Sequence, residues 1–194
     1  VTLPLIYFIR HGQTDWNAES RIQGRIDVPI NGKGREQARR NGGILAEVIP
    51  DAAEFDFFAS PMLRTRQTME IIRETMGLAT DGFGTDERLM EISFGTWGGK
   101  IWTDIAVSEP EAFAERQADI WNWIAPEGES YAQLYARIRA FFEELTRPSV
   151  VVSHGGVMRC LRGLVLDLPF EGMVRLDVPQ DKVLKIEAGT LTWL

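Results

Sequence analysis

The chain has 194 residues, 44% of them hydrophobic and 25% charged, with a formal net charge of −7. These are globular proportions with enough length for a sizeable core, and the acidic balance disfavours a nucleic-acid partner, whose phosphates call for basic stripes. No apolar run approaches a membrane span, and one cysteine, Cys160, excludes a disulfide framework or a zinc-finger cluster.

The opening VTLPLIYFIR lacks a basic leader and breaks at Pro4, so it reads as structure rather than signal peptide. A reduced, cytoplasmic setting is expected. Within that opening, Leu3 to Ile9 is a short run of strand formers that ends in Arg10-His11-Gly12. A loop rich in Gly, Asn and Asp follows. Asn31 then caps an expected helix to about Val48, with Ala38, Leu45 and Ile49 on one face. Phe55 to Ala59 reads as a second strand. Ser60-Pro61 reads as a helix start with proline in the first position, continued by a stripe of Met62, Met69, Ile72 and Met76. Residues 80–100 show little periodicity. Ser130 and Gln133 form a capping box that opens a helix carrying Leu134, Ile138, Phe141 and Leu145, stopped by Pro148. Ser149 to Val152 is a β-branched strand ending in Ser153-His154-Gly155-Gly156, and Val157, Leu161 and Leu164 continue as a helix. Residues 181–194 read as a terminal pair of strands around Ala188-Gly189. This alternation is an α/β order.

The chain has only two histidines, His11 and His154, and both fall at strand ends followed at once by glycine. Ligands of parallel sheets bind beyond the carboxyl ends of the strands, and glycine lets backbone amides approach a bound group. A metal would need a third ligand from a carboxylate, and Arg10 beside His11 would repel a cation, so neither metal nor cofactor is expected. The arginines point instead to an anion. Arg64 sits in the first turn of its helix with Arg66 nearby, and a guanidinium fork matches phosphate oxygens. Two neighbours on a regular strand face opposite ways, so Arg10 and His11 can share a ligand only if the strand breaks there.

These residues resemble the histidine phosphatase superfamily, in its phosphoglycerate mutase-like branch. Arg10-His11-Gly12-Gln13-Thr14 is similar to the family's R-H-G-[EQ]-T signature, and Trp16-Asn17 to its following W-N. Arg21-Ile22-Gln23-Gly24 and Asp27-Val28-Pro29-Ile30 resemble R-x-Q-G and D-x-P-L. Residues 60–68 resemble S-P-L-x-R-[AT]-x-Q-T. Leu89-Met90-Glu91 through Phe94-Gly95, Gly128-Glu129-Ser130 and Ser153-His154-Gly155-Gly156 complete the series in family order. Gly98 stands where many members carry glutamate in a W-E-G element. The short stretch between Asn17 and Gln23 lacks the longer segment of the true mutases, which favours the phosphatase subgroup.

The resemblance implies phosphomonoester hydrolysis through a phosphohistidine, an activity of the histidine acid phosphatase type. His11 would be the nucleophile. Arg10, Arg64 and His154 would surround the phosphoryl oxygens, joined by Asn17, Gln23, Gly24 and Gly155 as phosphate or substrate contacts. The leaving-group proton must come from an acid. Asp86, Glu87 and Glu91 lie together, and the family pattern selects Glu91. The expected architecture is one domain over residues 1–194: a three-layer α/β sandwich with a mostly parallel central sheet, helices on both faces and an insertion at about 90–128. Four of the six tryptophans fall at Trp97, Trp102, Trp121 and Trp123, either as a substrate cap or as a subsidiary core. The expected partner is a small-molecule phosphate ester, with no nucleic acid and no membrane; a homodimer stays open. The rivals are a cofactor-dependent phosphoglycerate mutase and a non-catalytic phospholigand-binding protein.

Overall fold

A computed structural model describes residues 3–194. In chain order the elements are β1 (Ile6–Arg10), α1 (Asp15–Ala18), α2 (Gly32–Val48), β2 (Asp56–Ala59), α3 (Leu63–Thr75), β3 (Gly84–Thr85), α4 (Trp102–Ser108), α5 (Pro110–Ala118), α6 (Tyr131–Glu143), β4 (Ser149–Ser153), α7 (Gly155–Leu166), α8 (Phe170–Met173), β5 (Leu184–Glu187) and β6 (Thr190–Trp193). The six strands form one sheet in the order β3-β2-β4-β1-β5-β6. β3, β2, β4 and β1 run parallel, and the β5–β6 hairpin adds antiparallel to β1. The sheet is therefore mostly parallel, with helices on both faces.

The two faces carry separate cores. On one, Leu45 of α2 and Met69 and Ile72 of α3 pack with Tyr7, Ile9, Phe57, Val150 and Val152. On the other, Leu134, Ile138 and Phe142 of α6 and Val157 and Leu161 of α7 pack with Ile6, Phe8 and Val151. β1 and β4 are buried along almost their whole length, which is why both read as continuous apolar runs rather than alternating ones. Each fully buried Leu, Ile or Phe contributes about 1.5–3 kcal/mol relative to exposure. A third, smaller cluster of Ile22, Trp97 and Ile105, with Phe94, Trp102, Phe113 and Trp123 against it, lies around α4 and α5.

Local signals behave as their chemistry dictates. The Asn31 side chain accepts from the Gly34 amide and opens α2. Ser130 and Gln133 form the reciprocal capping box of α6. Ala188 and Gly189, both at positive φ, turn the terminal hairpin. Two expectations need correcting. Pro61 does not start α3, whose first helical residue is Leu63 after an extended Met62. The amide of Leu63 is instead capped from a distant loop by the Asp27 carboxylate at 2.7 Å. And α6 ends at Glu143, so Leu145 packs from outside the helix and Pro148 lies beyond its stop. The low-periodicity stretch 80–100 holds the two-residue β3 and two short 3-10 turns, Glu87–Leu89 and Gly95–Trp97.

Candidate active site

Parallel register brings the two histidines together. β1 pairs with β4 so that Arg10 lies opposite Ser153, and the next residues, His11 and His154, emerge side by side with ring centroids 5.3 Å apart. β2 flanks β4 on the other side, with Ala59 opposite Val152, so Ser60 reaches His154: its Oγ lies 2.8 Å from Nε2. The site thus forms at the carboxyl ends of the three central parallel strands.

The state of His11 follows from its partners. Nδ1 donates to the Gly12 carbonyl at 2.8 Å, and Nε2 accepts from Arg64 Nε at 3.2 Å. A ring that donates from one nitrogen and accepts at the other is neutral, with its lone pair on Nε2. Burial, then Arg64 and Arg10, hold its pKa well below the ordinary 6.5, against the Gly12 carbonyl. His154 is likewise held low, by burial and then by Arg64. Its Nδ1 is buried with no partner among the described residues.

Two guanidiniums complete a cationic cup. Arg64 is fully buried; its NH1 and NH2 donate to the Ile26 and Gly24 carbonyls at 2.9 and 2.7 Å. No carboxylate pairs with it among the described residues. Arg10 donates through NH1 to the Val178 carbonyl at 2.7 Å, and its Nε is buried without a partner among the described residues. Burial pulls both pKa values down to about 10, Glu91 being the charge that most opposes this, so both remain cationic at neutral pH. A buried cation without a counterion calls for an anionic ligand. Arg66, by contrast, lies exposed on α3.

Glu91 stands at the edge of the cup. Its carboxylate accepts from the Gly156 amide at 3.1 Å through both oxygens, at the N-terminal end of α7, and from the Ile92 amide at 3.0 Å. A Cβ on Gly156 would overlap that carboxylate. The segment before it is tied to the sheet by Ser153 Oγ donating to the Leu89 carbonyl at 2.7 Å. Arg137 donates to the carbonyls of Arg88 and Glu91 and pairs through Nε and NH2 with Glu129 at 2.7 and 2.8 Å. Asp86 is held by Arg88, which keeps its pKa low, and Glu87 is exposed. Neither reaches the cup.

The other expected contacts divide. Asn17 closes a capping box with Thr14 in α1, and its Oδ1 also accepts from Gln180 Nε2 at 3.1 Å. Gly155 opens α7 with its amide unpartnered among the described residues. Gln23 accepts from Thr14 Oγ1 at 2.9 Å, and Gly24 contributes its carbonyl to Arg64. Gly12 differs from its expected role. Its amide donates to Thr68 Oγ1 at 3.0 Å, and its missing side chain makes room for the Gly34 backbone.

Several supporting residues had no signal of their own in the sequence. Gln180 donates to the His11 carbonyl at 2.9 Å, and Asn41 donates to the Gln180 carbonyl at 3.1 Å. With the Val178 carbonyl on Arg10, these tie the segment after α8 across the site. Ser60, Thr14, Asp27, Thr68 and Glu129 each stood inside a quoted motif, but their motifs gave them no role. No group of three His, Cys, Asp or Glu side chains arranged to hold a metal occurs among the described residues. No helix there is long and apolar enough to cross a membrane.

The sequence pattern described as the histidine phosphatase superfamily (branch 1) matches residues 6–193. A relative from Enterobacter sp. (strain 638), named "Probable phosphoglycerate mutase GpmB", is 32% identical over 196 residues, covering 97% of this chain and 87% of the relative. A solved mycobacterial glucosyl-3-phosphoglycerate phosphatase superposes with a TM-score of 0.81 at 27% identity, over 98% of this chain and 96% of the other. The alpha-ribazole phosphatase of Shigella flexneri, at 23% identity and a TM-score of 0.80 over 98% and 94% of the two chains, shows a shared fold alone.

Proposed function

The chain belongs to the histidine phosphatase superfamily, branch 1, and from that premise we propose that it hydrolyses small-molecule phosphate monoesters through a phosphohistidine on His11. One observation carries the reading: the lone pair of a neutral His11 lies against a buried, carboxylate-free Arg64, with Arg10 beside it.

The steps follow from the geometry. The phosphate displaces the Arg64–His11 contact, and the guanidiniums of Arg10 and Arg64 take its oxygens. The unpartnered Nδ1 of His154, the Gly155 amide and the Asn17 side chain are further donors. His11 Nε2 forms the N–P bond as the ester P–O bond breaks, and the departing oxygen takes a proton from Glu91. Water then attacks phosphorus, giving its proton to Glu91, and the N–P bond breaks. The two arginines supply the electrophilic stabilisation that a metal would otherwise provide, so no metal is invoked.

The test is phosphate release from a panel of phosphomonoesters in the presence of chelator, with rapid trapping of the phosphoenzyme. Label on His11 that is lost in acid, and turnover abolished in His11→Ala, are expected. Label on Cys160 or a serine, or activity restored only by an added divalent ion, overturns the reading.

The relatives' names, which read phosphoglycerate mutase, support a second reading, and on this chain it would be a cofactor-dependent mutase. A mutase must pass its phosphoryl group to a second phosphate ester before water takes it. Chasing labelled phosphoenzyme with 3-phosphoglycerate separates the two. Label in inorganic phosphate supports hydrolysis; label in 2-phosphoglycerate, reached through a bisphosphate that rephosphorylates the enzyme, supports the mutase.

A further inference from the structure

Gln180, in the segment between α8 and β5, holds two parts of the cup with one amide group. Its Nε2 lies 2.9 Å from the His11 carbonyl oxygen and 3.1 Å from Asn17 Oδ1. A backbone carbonyl only accepts, so the Gln180 atom that meets it is the NH2 nitrogen. The same reasoning orients Asn17. The Thr14 backbone amide only donates, and the Asn17 atom 3.2 Å from it is therefore Oδ1. Oδ1 then has a donor on each lone pair, and both Nε2 protons of Gln180 are used. What is left over in Asn17 is Nδ2, a pure donor.

The backbone around Gln180 is anchored without help from its side chain. Asn41 of α2, fully buried, donates to the Gln180 carbonyl at 3.1 Å. Two residues earlier, the Val178 carbonyl accepts from Arg10 NH1 at 2.7 Å. Pro179 stands between them with its φ fixed by the ring. The His11 ring is likewise held by other groups, the Gly12 carbonyl and Arg64. Asn17 is the member of the cup that depends on the Gln180 side chain. Without it, the Thr14 amide alone would hold Oδ1, and the Asn17 amide would be freer to turn its oxygen toward a bound anion.

Resting on the phosphatase reading, we propose that Gln180 is a positioning residue: by occupying Asn17 Oδ1 it keeps Asn17 Nδ2 turned as a donor to the phosphoryl oxygens. Gln180 touches neither the phosphate nor the reacting atoms. Its effect on phosphate passes through Asn17, so it should vanish when the Asn17 side chain is removed. The loss of a donor on the His11 carbonyl, by contrast, is read in stability rather than in phosphate affinity.

A double-mutant cycle read by calorimetric titration with inorganic phosphate tests this without turnover. Gln180→Met keeps the side-chain length and removes the donors. It should weaken phosphate binding about fivefold or more, as expected for members of one hydrogen-bond network. In the Asn17→Ala background the same substitution should change binding by no more than about twofold. Equal weakening in both backgrounds is the mark of a merely structural role and overturns the proposal. The wild type gives a second readout that needs no folded variant. On titration with inorganic phosphate, the Asn17 side-chain amide protons should shift in the NMR spectrum while those of Gln180 keep their positions. Movement of the Gln180 protons with Asn17 unmoved overturns the proposal. Coupled phosphate binding in a protein that hydrolyses no ester sinks the phosphatase reading and leaves the Asn17–Gln180 assignment standing. Hydrolysis with equal weakening in both backgrounds sinks the assignment alone. No binding of phosphate by the wild type overturns both.

Discussion

Arg64 shows how one side chain depends on shape as well as charge. Its Nε, NH1 and NH2 each have a different acceptor, His11 Nε2 and the Ile26 and Gly24 carbonyls, and the side chain is fully buried. Lysine keeps the charge but cannot present a planar fork. Arg64→Lys is therefore expected to lose nearly as much kcat/KM as Arg64→Ala; near-normal rates would place Arg64 outside the phosphate site. Glu91 is tested through its leaving group. Glutamine keeps the shape but cannot give up the proton. In single-turnover phosphorylation, Glu91→Gln should slow an alkyl phosphate by roughly 10²–10⁴-fold and p-nitrophenyl phosphate, whose anion leaves readily, far less. Equal slowing of both would remove Glu91 as the acid, and with Asp86 tied to Arg88 and Glu87 exposed, the proton source would have to be sought elsewhere. His11, Arg10, Arg64, Glu91 and His154 were all readable from the chain, because their types, order and neighbours follow a family pattern. The backbone carbonyls of Gly24, Ile26 and Val178 were not, since every residue has one and sequence does not say which will be buried beside a guanidinium.

The short parallel strands fix the site's dimensions, and the helices that follow them fix its charges. β4 leads straight into α7, so the His154 ring, the Gly155 amide and the Gly156 amide that holds Glu91 all sit within one helical turn. α3 begins under the Asp27 carboxylate, which fastens the 24–27 loop to the same helix whose second residue is Arg64. α6 contributes at a distance: its Arg137 and the preceding Glu129 clamp the segment that carries Glu91. The capping box that starts α6 is the clearest local signal in the chain. Ser130→Ala removes the acceptor of the Gln133 amide and should cost about 1 kcal/mol, seen as a lower urea midpoint at unchanged m-value. An unchanged midpoint would mean that packing of Leu134, Ile138 and Phe142 alone sets the helix start.

Across the molecule, two buried neutral histidines link folding to pH. Both are held well below 6.5 in the folded state, first by burial and then by Arg64, whereas the unfolded chain titrates near 6.5. The unfolded state then binds more protons below that value, so stability falls as pH drops through about 6.5 and is unaffected by these groups above it. Urea unfolding at pH 7.5 and pH 5.5 should show a lower midpoint at 5.5, with most of the difference removed in a double variant, His11→Gln with His154→Gln. A difference that survives in that variant would assign it to other groups. On the proposed mechanism the same neutral His11 is the attacking species, so kcat/KM should keep its value to well below pH 6.5 before protonation of the nucleophile brings it down; an acid limb centred at 6.5 or above would contradict a depressed pKa.

Periodicity, caps and turn residues are local properties, and they carried the α/β order, the start of α2, the capping box of α6 and the terminal turn at Ala188-Gly189. They also placed both histidines at strand ends, because a β-branched run followed by glycine and a helical stripe needs no distant partner to be recognised. Strand order, and hence the 5.3 Å separation of two rings from opposite ends of the chain, came only with the folded sheet. So did the Gly12–Gly34 backbone contact, the reach of Gln180 to the His11 carbonyl and the Asp27 cap on α3. The tryptophans divide the same way. Their density was visible in the chain, but whether a ring is core or wall depends on what lies behind it: Trp97 is fully buried and packs at a tilt against Trp123, while Trp102 lies beneath Arg116 in the wall of an open cavity. Pairing between residues far apart depends on which surfaces exclude water together, and a linear pattern records composition without recording that neighbour.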